Sequence, residues 1–328
     1  MNGAESLVRT LLASDVDVCF TNPGTSEMHF VAALDSVPGM RSVLALFEGV
    51  ATGAADGYYR IKGHPASTLL HLGPGLANGV ANLHNAKKAG SGVVNIVGEH
   101  AIAHIALDAP LTSDIEGIAR PVSHWVKTST SSVDVGRDAA EAVAAACTSP
   151  GQVATLILPG DTAWNPGGRV ADAIAPPARP APDQDHVTAA AKMLREEGAL
   201  LLLGGAALDV DNLTLAGKLA AATGCGLLTE WSNTRLERGA GRIDVRRIPY
   251  PVDQALEVLA PYRKVVLVGA KPPVAFFAYP DKPGVLTREG TEFAELADAA
   301  ADIGAALQAL VAVAAILVFT YSVRYGLR

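Results

Sequence analysis

The sequence predicts two α/β domains, each built on a doubly wound parallel sheet, and three observations support this prediction. Short, continuously apolar segments such as VATLIL (153–158) alternate with helical segments, a pattern typical of strands buried on both faces. Glycine is abundant, with 32 residues, while aromatic residues form only 5% of the chain, which suits helices that pack closely on sheets. A length of 328 residues accommodates about two domains of ordinary size.

The first domain is expected at residues 1–164. Its predicted strands lie at 16–20, 42–46, 66–71, 93–97 and 153–158, and its predicted helices at 26–34, 48–60, 76–88 and 138–147. The segment 72–75 (LGPG) is expected to be a loop, because glycine and proline favour tight turns. Residues 165–186 contain five prolines and are expected to form an extended linker, since proline at this density interrupts helices and central strands.

The second domain is expected at residues 187–308 and repeats the same alternation on a smaller scale. Its predicted helices lie at 186–196 and 213–222 and from residue 293 onward, and its predicted strands at 199–205, 226–230, 264–270 and 284–289. An apolar tail follows at 309–328. Its uninterrupted apolar stretch is near the lower limit for a helix that crosses a membrane. Three interpretations stay open: a sequence artefact, a helix packed on the second domain, or a membrane anchor.

Composition excludes several classes of function. The net charge is −7 and neither half carries a basic stripe, so nucleic acid is not expected as a partner. The three cysteines (Cys19, Cys147 and Cys225) lack the spacing of a metal site or a disulfide framework. No metal site is therefore expected in this chain. The N-terminus lacks the pattern of a signal peptide, and a reducing, cytoplasmic location is predicted, with a membrane location disfavoured.

Glu48 is the first candidate for chemistry, because it lies where a predicted buried strand turns into a helix. Gly49, Gly53 and Gly57 share one face of that helix. Each interior glycine costs roughly 1 kcal/mol relative to alanine, so another backbone is expected to approach this face closely. Burial there would raise the pKa of the Glu48 carboxyl. On spacing alone, an ordinary acid complementing the helix dipole is the better explanation of Glu48.

Three segments together resemble thiamine-diphosphate-dependent 2-oxo-acid enzymes of the acetolactate synthase and benzoylformate decarboxylase type. Glu48 with its Gly/Ala-rich helix ending Asp-Gly-Tyr (56–58) resembles their pyrimidine-binding domain. The segment FTNPGTSE (20–27) resembles a turn of the benzoylformate decarboxylase branch. The segment HLGPGLANG (71–79) resembles the loop and helix start found in both branches. The resemblance covers the N-terminal and central domains, to about residue 305.

The resemblance implies a role for four residues beside the cofactor. The Glu48 carboxyl would hydrogen-bond the pyrimidine ring of thiamine diphosphate and promote its activation, making Glu48 the catalytic residue. Gly73, Gly75 and Asn78 would lie beside the same cofactor. General acid–base work of this kind requires a carboxyl tuned by a dry site.

The resemblance also implies that four residues face the substrate: Thr25, His29, His71 and Glu99. His71 matches a substrate-facing histidine of the benzoylformate decarboxylase branch. The family usually has glutamine where this chain has Glu99. Ordinary alternatives remain for three of them: Thr25 as a helix cap, His29 as a surface histidine, and His71 as a polar residue at a strand end.

The family's third domain carries a Gly-Asp-Gly start and a later asparagine that bind Mg²⁺, and this sequence contains no such motif. The resemblance therefore implies that the chain holds only the pyrimidine half of thiamine diphosphate, with Mg²⁺ bound through a missing domain. The family's site lies between subunits, so the expected partner is a homodimer or tetramer, or a separate chain with the diphosphate domain. FAD is a further candidate ligand, at the strand-ending Gly204, Gly205 and Gly269.

The sequence thus predicts a truncated 2-oxo-acid carboligase or decarboxylase (a transferase or lyase), acetolactate-synthase-like and inactive alone. Two alternatives remain: a non-catalytic module that dimerises through the glycine-striped helix, and one half of a split enzyme. A nucleotide-binding protein that uses the second domain is a third. The sequence does not choose between pyruvate and an aromatic 2-oxo acid, nor between carboligation and decarboxylation.

Overall fold

The computed structural model describes residues 1–325, with side chains described as far as residue 314. The chain divides into two compact units, Met1–Pro177 and a second unit that begins at Ala178. The division falls inside the segment 165–186. The first part of that segment is attached to the first unit, because the amides of Gly167 and Gly168 donate to Met1 O at 3.2 and 3.1 Å. The amide of Ala171 donates to Thr10 Oγ1 at 3.1 Å.

The first unit contains a six-stranded parallel sheet with strand order β2-β1-β3-β4-β6-β5. The strands are β1 (Val18–Asn22), β2 (Arg41–Leu44), β3 (Ala66–Leu70), β4 (Val93–Glu99), β5 (Trp125–Thr128) and β6 (Val153–Pro159). The helices are α1 (Gly3–Ala13), α2 (Met28–Ser36), α3 (Glu48–Lys62), α4 (Leu72–Ala89), α5 (Ile102–Ile105), α6 (Ile115–Ala119), α7 (Val135–Cys147) and α8 (Gly160–Trp164). The sequence prediction missed α1, α5, α6, α8 and β5.

Helices cover both faces of this sheet. Neighbouring residues of a strand point to opposite faces, so Leu69 joins the core formed with α1, α2 and α7, while Leu70 joins the core formed with α3, α4 and α6. Ile96 and Val97 of β4 divide in the same way. The predicted class, a parallel sheet buried on both faces, is confirmed.

A row of hydrogen-bonded polar side chains crosses the middle of this apolar sheet. Thr68 Oγ1 donates to Asn95 Oδ1 at 2.7 Å, and Asn95 Nδ2 donates to Thr155 Oγ1 at 3.0 Å. Ser123 Oγ lies 2.7 Å from the same Thr155 hydroxyl. Because a buried polar group is costly unless it is hydrogen-bonded, this row of side chains favours the observed alignment of β3, β4 and β6.

The second unit contains a five-stranded parallel sheet with strand order β11-β10-β7-β8-β9. The strands are β7 (Ala199–Leu203), β8 (Gly226–Thr229), β9 (Arg246–Arg247), β10 (Lys264–Val268) and β11 (Glu292–Ala297). The helices are α9 (Gln184–Met193), α10 (Val210–Thr223), α11 (Val252–Leu259) and α12 (Ile303–Tyr325). Apolar cores lie on both faces of β7 and β10, one with α9, α10 and α12 and the other with α11.

The sequence prediction for the end of the second unit is wrong. Residues 284–289 are not a strand, and residue 293 lies in β11 rather than in a helix. β11 extends the sheet beyond β10, where Lys264 Nζ bonds Glu292 Oε1 at 2.6 Å. The Asp298 carboxylate then accepts the amides of Ala300 and Ala301, each at 2.9 Å. This turn separates the strand from α12.

The predicted apolar tail 309–328 begins within α12. Leu310 and Ala314 pack in the core of the second unit together with Ile303 and Leu307 of the same helix. The side chains of residues 315–328 lie outside the described residues. Over the part of the chain that is described, no helix combines the length and apolarity that crossing a membrane requires.

Candidate functional site

Glu48 is the first residue of α3 and is largely buried, with 9% of its surface exposed. Asn78 Nδ2 of α4 donates to Glu48 Oε2 at 3.0 Å. The other carboxyl oxygen faces Gly75, where a β-carbon would lie 3.3 Å from Glu48 Oε1. The carboxyl is therefore anchored through one oxygen, and a side chain at position 75 would crowd the other. Such a carboxyl can exchange a hydrogen bond with a ring nitrogen.

Close packing between α3 and α4 positions this carboxyl. Thr52 Oγ1 lies 3.0 Å from Glu48 O in its own helix and 3.2 Å from Gly79 O in α4. A β-carbon on Gly79 would lie 2.9 Å from Thr52 Cγ2. The backbone of α4 thus approaches α3 closely at Gly79, but beside Thr52 rather than beside the glycines of the predicted stripe.

The glycine stripe of α3 has other neighbours. Asn82 Nδ2 donates to Gly49 O at 2.6 Å and lies 3.0 Å from the position of a β-carbon on Gly53. Gly57 has nothing within 4 Å of such a β-carbon. The expectation that one backbone packs along the whole stripe is therefore wrong, since a side chain of α4 fills the space beside Gly53.

The predicted loop at 72–75 is instead the first turn of α4, and the loop prediction is wrong. The amide of Gly75 donates to His71 O at 2.8 Å, which closes the turn. Leu72 has a φ of 49°, a strained conformation for a residue with a bulky side chain. A β-carbon on Gly73 would overlap the Ser113 side chain. Gly73 therefore faces Ser113, whereas Gly75 faces Glu48.

His71 is held by a buried carboxylate, that of Glu27, which was not among the site residues predicted from the sequence. Glu27 Oε2 lies 2.7 Å from His71 Nδ1, and Glu27 is 3% exposed. The same Glu27 oxygen accepts the amide of Gly24 at 2.7 Å, and the Ser26 hydroxyl donates to the other oxygen at 2.9 Å. When the Glu27 carboxylate accepts from His71, Nδ1 carries the hydrogen and Nε2 is left as the acceptor.

Two glycines make room for this pair. A β-carbon on Gly98 would overlap Glu27 Oε1, and one on Gly24 would overlap the His71 ring. Glu27 belongs to the segment 20–27 that carried the resemblance, which is the signal that could have identified it. Its burial depends on Gly98 in β4, far along the chain, so local sequence did not reveal it.

The four residues predicted for the substrate side line one open pocket of about 370 Å³. The His29 ring packs on Trp164, with 5.4 Å between ring centroids. The pocket is lined by Thr25, Ser26, His29, His71, Leu72, Glu99, His100, Ala101, His104, Leu111, Gly160 and Trp164. His100, His104 and Trp164 were not predicted, since they come from segments with no distinctive pattern.

Glu99 ends β4 and is 5% exposed. Its Oε1 accepts the amide of His100 at 2.7 Å. Burial raises the pKa of the Glu99 carboxyl above its ordinary value, because desolvation disfavours the charged form and outweighs the hydrogen bond and the nearby histidine. Glu99 is thus a buried acid whose protonated form is favoured by its surroundings.

The start of α4 brings the two predicted sides together. A β-carbon on Gly75 would lie 3.3 Å from Glu48 Oε1 and 3.4 Å from His71 Cβ. Glu48 and His71 therefore flank the same stretch of backbone. Among the described residues there is no group of three or more His, Cys, Asp or Glu side chains arranged to hold a metal ion.

The strand-ending glycines of the second unit pack against each other. A β-carbon on Gly204 would lie 2.5 Å from Gly269 O, and one on Gly269 would lie 2.6 Å from Gly204 O. Gly205 and Gly269 have φ values of 50° and 61°, which glycine adopts without strain. Close contact between the ends of β7 and β10 is thus sufficient to explain these glycines.

Comparison with known proteins now gives the class of protein. Residues 1–118 match the model of the thiamine pyrophosphate enzyme family, N-terminal TPP binding domain. A Mycobacterium tuberculosis protein with the provisional name acetolactate synthase large subunit IlvX is 52% identical over 310 residues, covering 94% of this chain and 60% of that relative. A Pseudomonas aeruginosa benzoylformate decarboxylase is 32% identical over 143 residues, covering 43% of this chain and 27% of that relative.

A solved structure from Mycobacterium smegmatis, provisionally described as a thiamin diphosphate-dependent enzyme, has the same fold. Its TM-score is 0.81 at 23% identity, over 95% of this chain and 62% of that one. The chain therefore spans about 60% of the length of the curated relative first named above. Residues 1–118 therefore match the N-terminal domain of the thiamine-diphosphate-dependent enzyme family, and the resemblance predicted from the sequence is confirmed.

Proposed function

We propose that the first unit holds the pyrimidine half of thiamine diphosphate, with Glu48 as the residue that activates it. One observation supports this above all: the buried Glu48 carboxyl is anchored by Asn78 at 3.0 Å, and its other oxygen lies beside Gly75, where a side chain would crowd it. When bound, thiamine diphosphate supplies the electron sink for cleavage beside a 2-oxo group. The Glu48 carboxyl would hold a proton at a pyrimidine nitrogen, and Asn78 would keep that carboxyl oriented.

The proposed substrate is a 2-oxo acid, bound in the pocket lined by Thr25, His29, His71 and Glu99. His71 would donate or accept a proton near the substrate through Nε2, because Nδ1 is occupied by Glu27 at 2.7 Å. Acetolactate-synthase-like carboligation is proposed over simple decarboxylation because the relative with 52% identity carries the acetolactate synthase name.

The diphosphate and its Mg²⁺ are proposed to be bound by another domain, from a separate chain or from a longer form of this one. The sequence contains no Gly-Asp-Gly start of such a domain. The rival is a non-catalytic binding module, in which Glu48 would only support the helix. All three cysteines are free, which suits the proposed cytoplasmic location. FAD in the second unit is a separate proposal, tested by whether the purified protein releases a flavin on denaturation.

The proposed cofactor site can be tested with the pyrimidine alone. Titration of 4-amino-5-hydroxymethyl-2-methylpyrimidine should shift the NMR signals of the Asn78 side-chain amide in a saturable manner. Glu48→Ala should weaken this binding at least about tenfold, because it removes the only ionisable partner of the ring. Asp35→Ala, which removes an exposed carboxyl of α2, should leave the binding unchanged. Absence of saturable shifts in the unsubstituted chain would refute the cofactor role of Glu48.

Calorimetry with thiamine diphosphate and Mg²⁺ separates the two halves of the proposal. If another domain binds the diphosphate, the complete cofactor should bind this chain about as tightly as the pyrimidine does. Binding that is about 100-fold tighter would mean that this chain itself holds the diphosphate. In that case, turnover of 2-oxo acids by the isolated chain is the next measurement.

A further inference from the structure

The second unit gathers aromatic side chains at one exposed place, although aromatic residues are scarce in this chain. The Trp231 ring lies 5.0 Å from the Phe276 ring and 5.4 Å from the Tyr250 ring, and Tyr250 lies 5.7 Å from Phe276, measured between centroids. Phe277 and Tyr279 extend the group. We call these five residues the aromatic cluster. Tyr250, Phe276 and Phe277 are 47%, 51% and 56% exposed, so much of their ring surface is available.

The aromatic cluster lies where parallel sheets bind ligands. Trp231 follows the end of β8 by two residues, and Tyr250 follows the end of β9 by three. Phe276 comes from the segment after β10. All three therefore lie at the carboxyl ends of strands in one sheet, the edge at which open α/β sheets bind small molecules.

A pocket of about 380 Å³ is lined by both Trp231 and Tyr250, and its volume is within the size range of small-molecule sites. Its other lining residues are Ser232, Asn233, Arg247 and Pro249. The Asn233 side chain is oriented by Thr229, whose Oγ1 donates to Asn233 Oδ1 at 2.7 Å. This hydrogen bond leaves the amide group of Asn233 as a donor. The pocket thus combines two ring faces with hydrogen-bond donors.

The charge of the pocket is positive. Arg247 is exposed and makes no ion pair with any residue that the structure describes. The segment 231–250 holds five arginines against two acids, in a chain whose net charge is −7. Aromatic faces by themselves attract cations, but the unpaired guanidinium of Arg247 repels a cation and favours an anion such as a carboxylate or phosphate.

We propose that this pocket binds a planar aromatic ring that carries a negative charge. The ring would stack on one of Trp231 and Tyr250 and meet the other edge to face, since their planes are inclined by 70°, and the anionic group would pair with Arg247. An aryl carboxylate and a nucleoside monophosphate share this chemistry. The proposal depends only on residues of the second unit and is independent of the role of Glu48.

Calorimetric titration of the full chain with two ring anions, 2-naphthoate and adenosine 5′-monophosphate, tests the proposal. At least one should bind saturably at one site per chain. Acetate, which lacks the ring, and 2-naphthalenemethanol, which lacks the charge, should bind at least about tenfold more weakly. Binding of 2-naphthoate alone would identify an aryl carboxylate, and binding of the nucleotide alone a nucleotide. Failure of both ring anions to bind would overturn the proposal.

Variants test the position of the site. Arg247→Gln and, independently, Tyr250→Leu should each weaken binding of the ring anion roughly tenfold or more. Arg195→Gln is the matched control, because Arg195 is also exposed and precedes β7, at the opposite edge of the sheet. It should leave binding unchanged. Equal weakening by Arg247→Gln and Arg195→Gln would reveal unspecific attraction and overturn the proposal. Circular dichroism of each variant checks that the fold is retained.

Discussion

At the scale of single residues, Glu48 and Glu99 are two buried carboxyls whose surroundings differ. Glu48 is anchored by an amide donor from Asn78 at 3.0 Å. Glu99 receives one backbone amide at 2.7 Å, and burial is the largest influence on its pKa, which is raised. Carboxyls in different surroundings can serve different roles within one site. The two carboxyls also require different experiments.

Glu99→Gln should stabilise the protein at neutral pH. Because the folded-state pKa of Glu99 is raised, folding is favoured while Glu99 is protonated, below its ordinary pKa of 4.5. This contribution is lost as the pH rises through the higher folded-state pKa. The melting temperature of Glu99→Gln should therefore exceed that of the unsubstituted chain by a few degrees at about pH 7, and by less at about pH 4.

Thermal denaturation followed by circular dichroism across this pH range measures the effect. Asp35→Asn, on an exposed carboxyl, controls for the loss of one charge. A difference in melting temperature that is the same at every pH would contradict the assignment, since it would show that titration of Glu99 does not contribute.

At the scale of elements, close packing of α3 on α4 positions Glu48. The glycines of these two helices differ in what surrounds them. Gly79→Ala would place a β-carbon 2.9 Å from Thr52 Cγ2. Thr52 cannot easily move, because its hydroxyl lies within hydrogen-bonding distance of Gly79 O. We expect Gly79→Ala to lower the free energy of unfolding by about 1–2 kcal/mol through overpacking.

Gly57→Ala is the matched control, in the exposed middle of α3 with nothing within 4 Å of the new β-carbon. It should raise the free energy of unfolding by about 0.5–1 kcal/mol, because alanine is the better helix former. Urea denaturation of both variants gives the comparison. Stabilisation by both substitutions would show that α3 and α4 do not pack as closely as described.

At the scale of the whole molecule, each unit has its own cores on both faces of its own sheet. Residues 173–181, which span the boundary between the two units in the sequence, are exposed and belong to no helix or strand. Exposed segments of this kind are preferred sites of proteolysis. Elastase cleaves after small residues, so limited digestion should first cut near Ala173 and release two fragments.

Each fragment should unfold cooperatively, which thermal denaturation after separation would show. Ile174→Pro is the control, because proline after Ala173 should suppress that cut without affecting either core. Mass spectrometry identifies the site. A first cut outside residues 173–181 would contradict the proposed division.

Sequence alone was sufficient for the parallel α/β class and for most elements, because buried strands and their helices leave continuous apolar and amphipathic patterns. It also sufficed for the family, since the segments around Glu48, Thr25 and His71 are each short and local. It failed at 72–75, where glycine and proline begin a helix. It also failed at 284–297, where the strand is set by pairing with β10 rather than by its own pattern.

Three-dimensional packing was needed for everything that depends on contacts between distant segments. Glu27 is buried beside His71 because Gly98 of β4 leaves space for its carboxyl. Glu48 is anchored because α4 carries Asn78 across to it. The aromatic cluster joins side chains from three segments after three strands. A contact between segments that are distant in the chain leaves no local pattern in the sequence. These contacts form because each sheet brings the ends of its strands together.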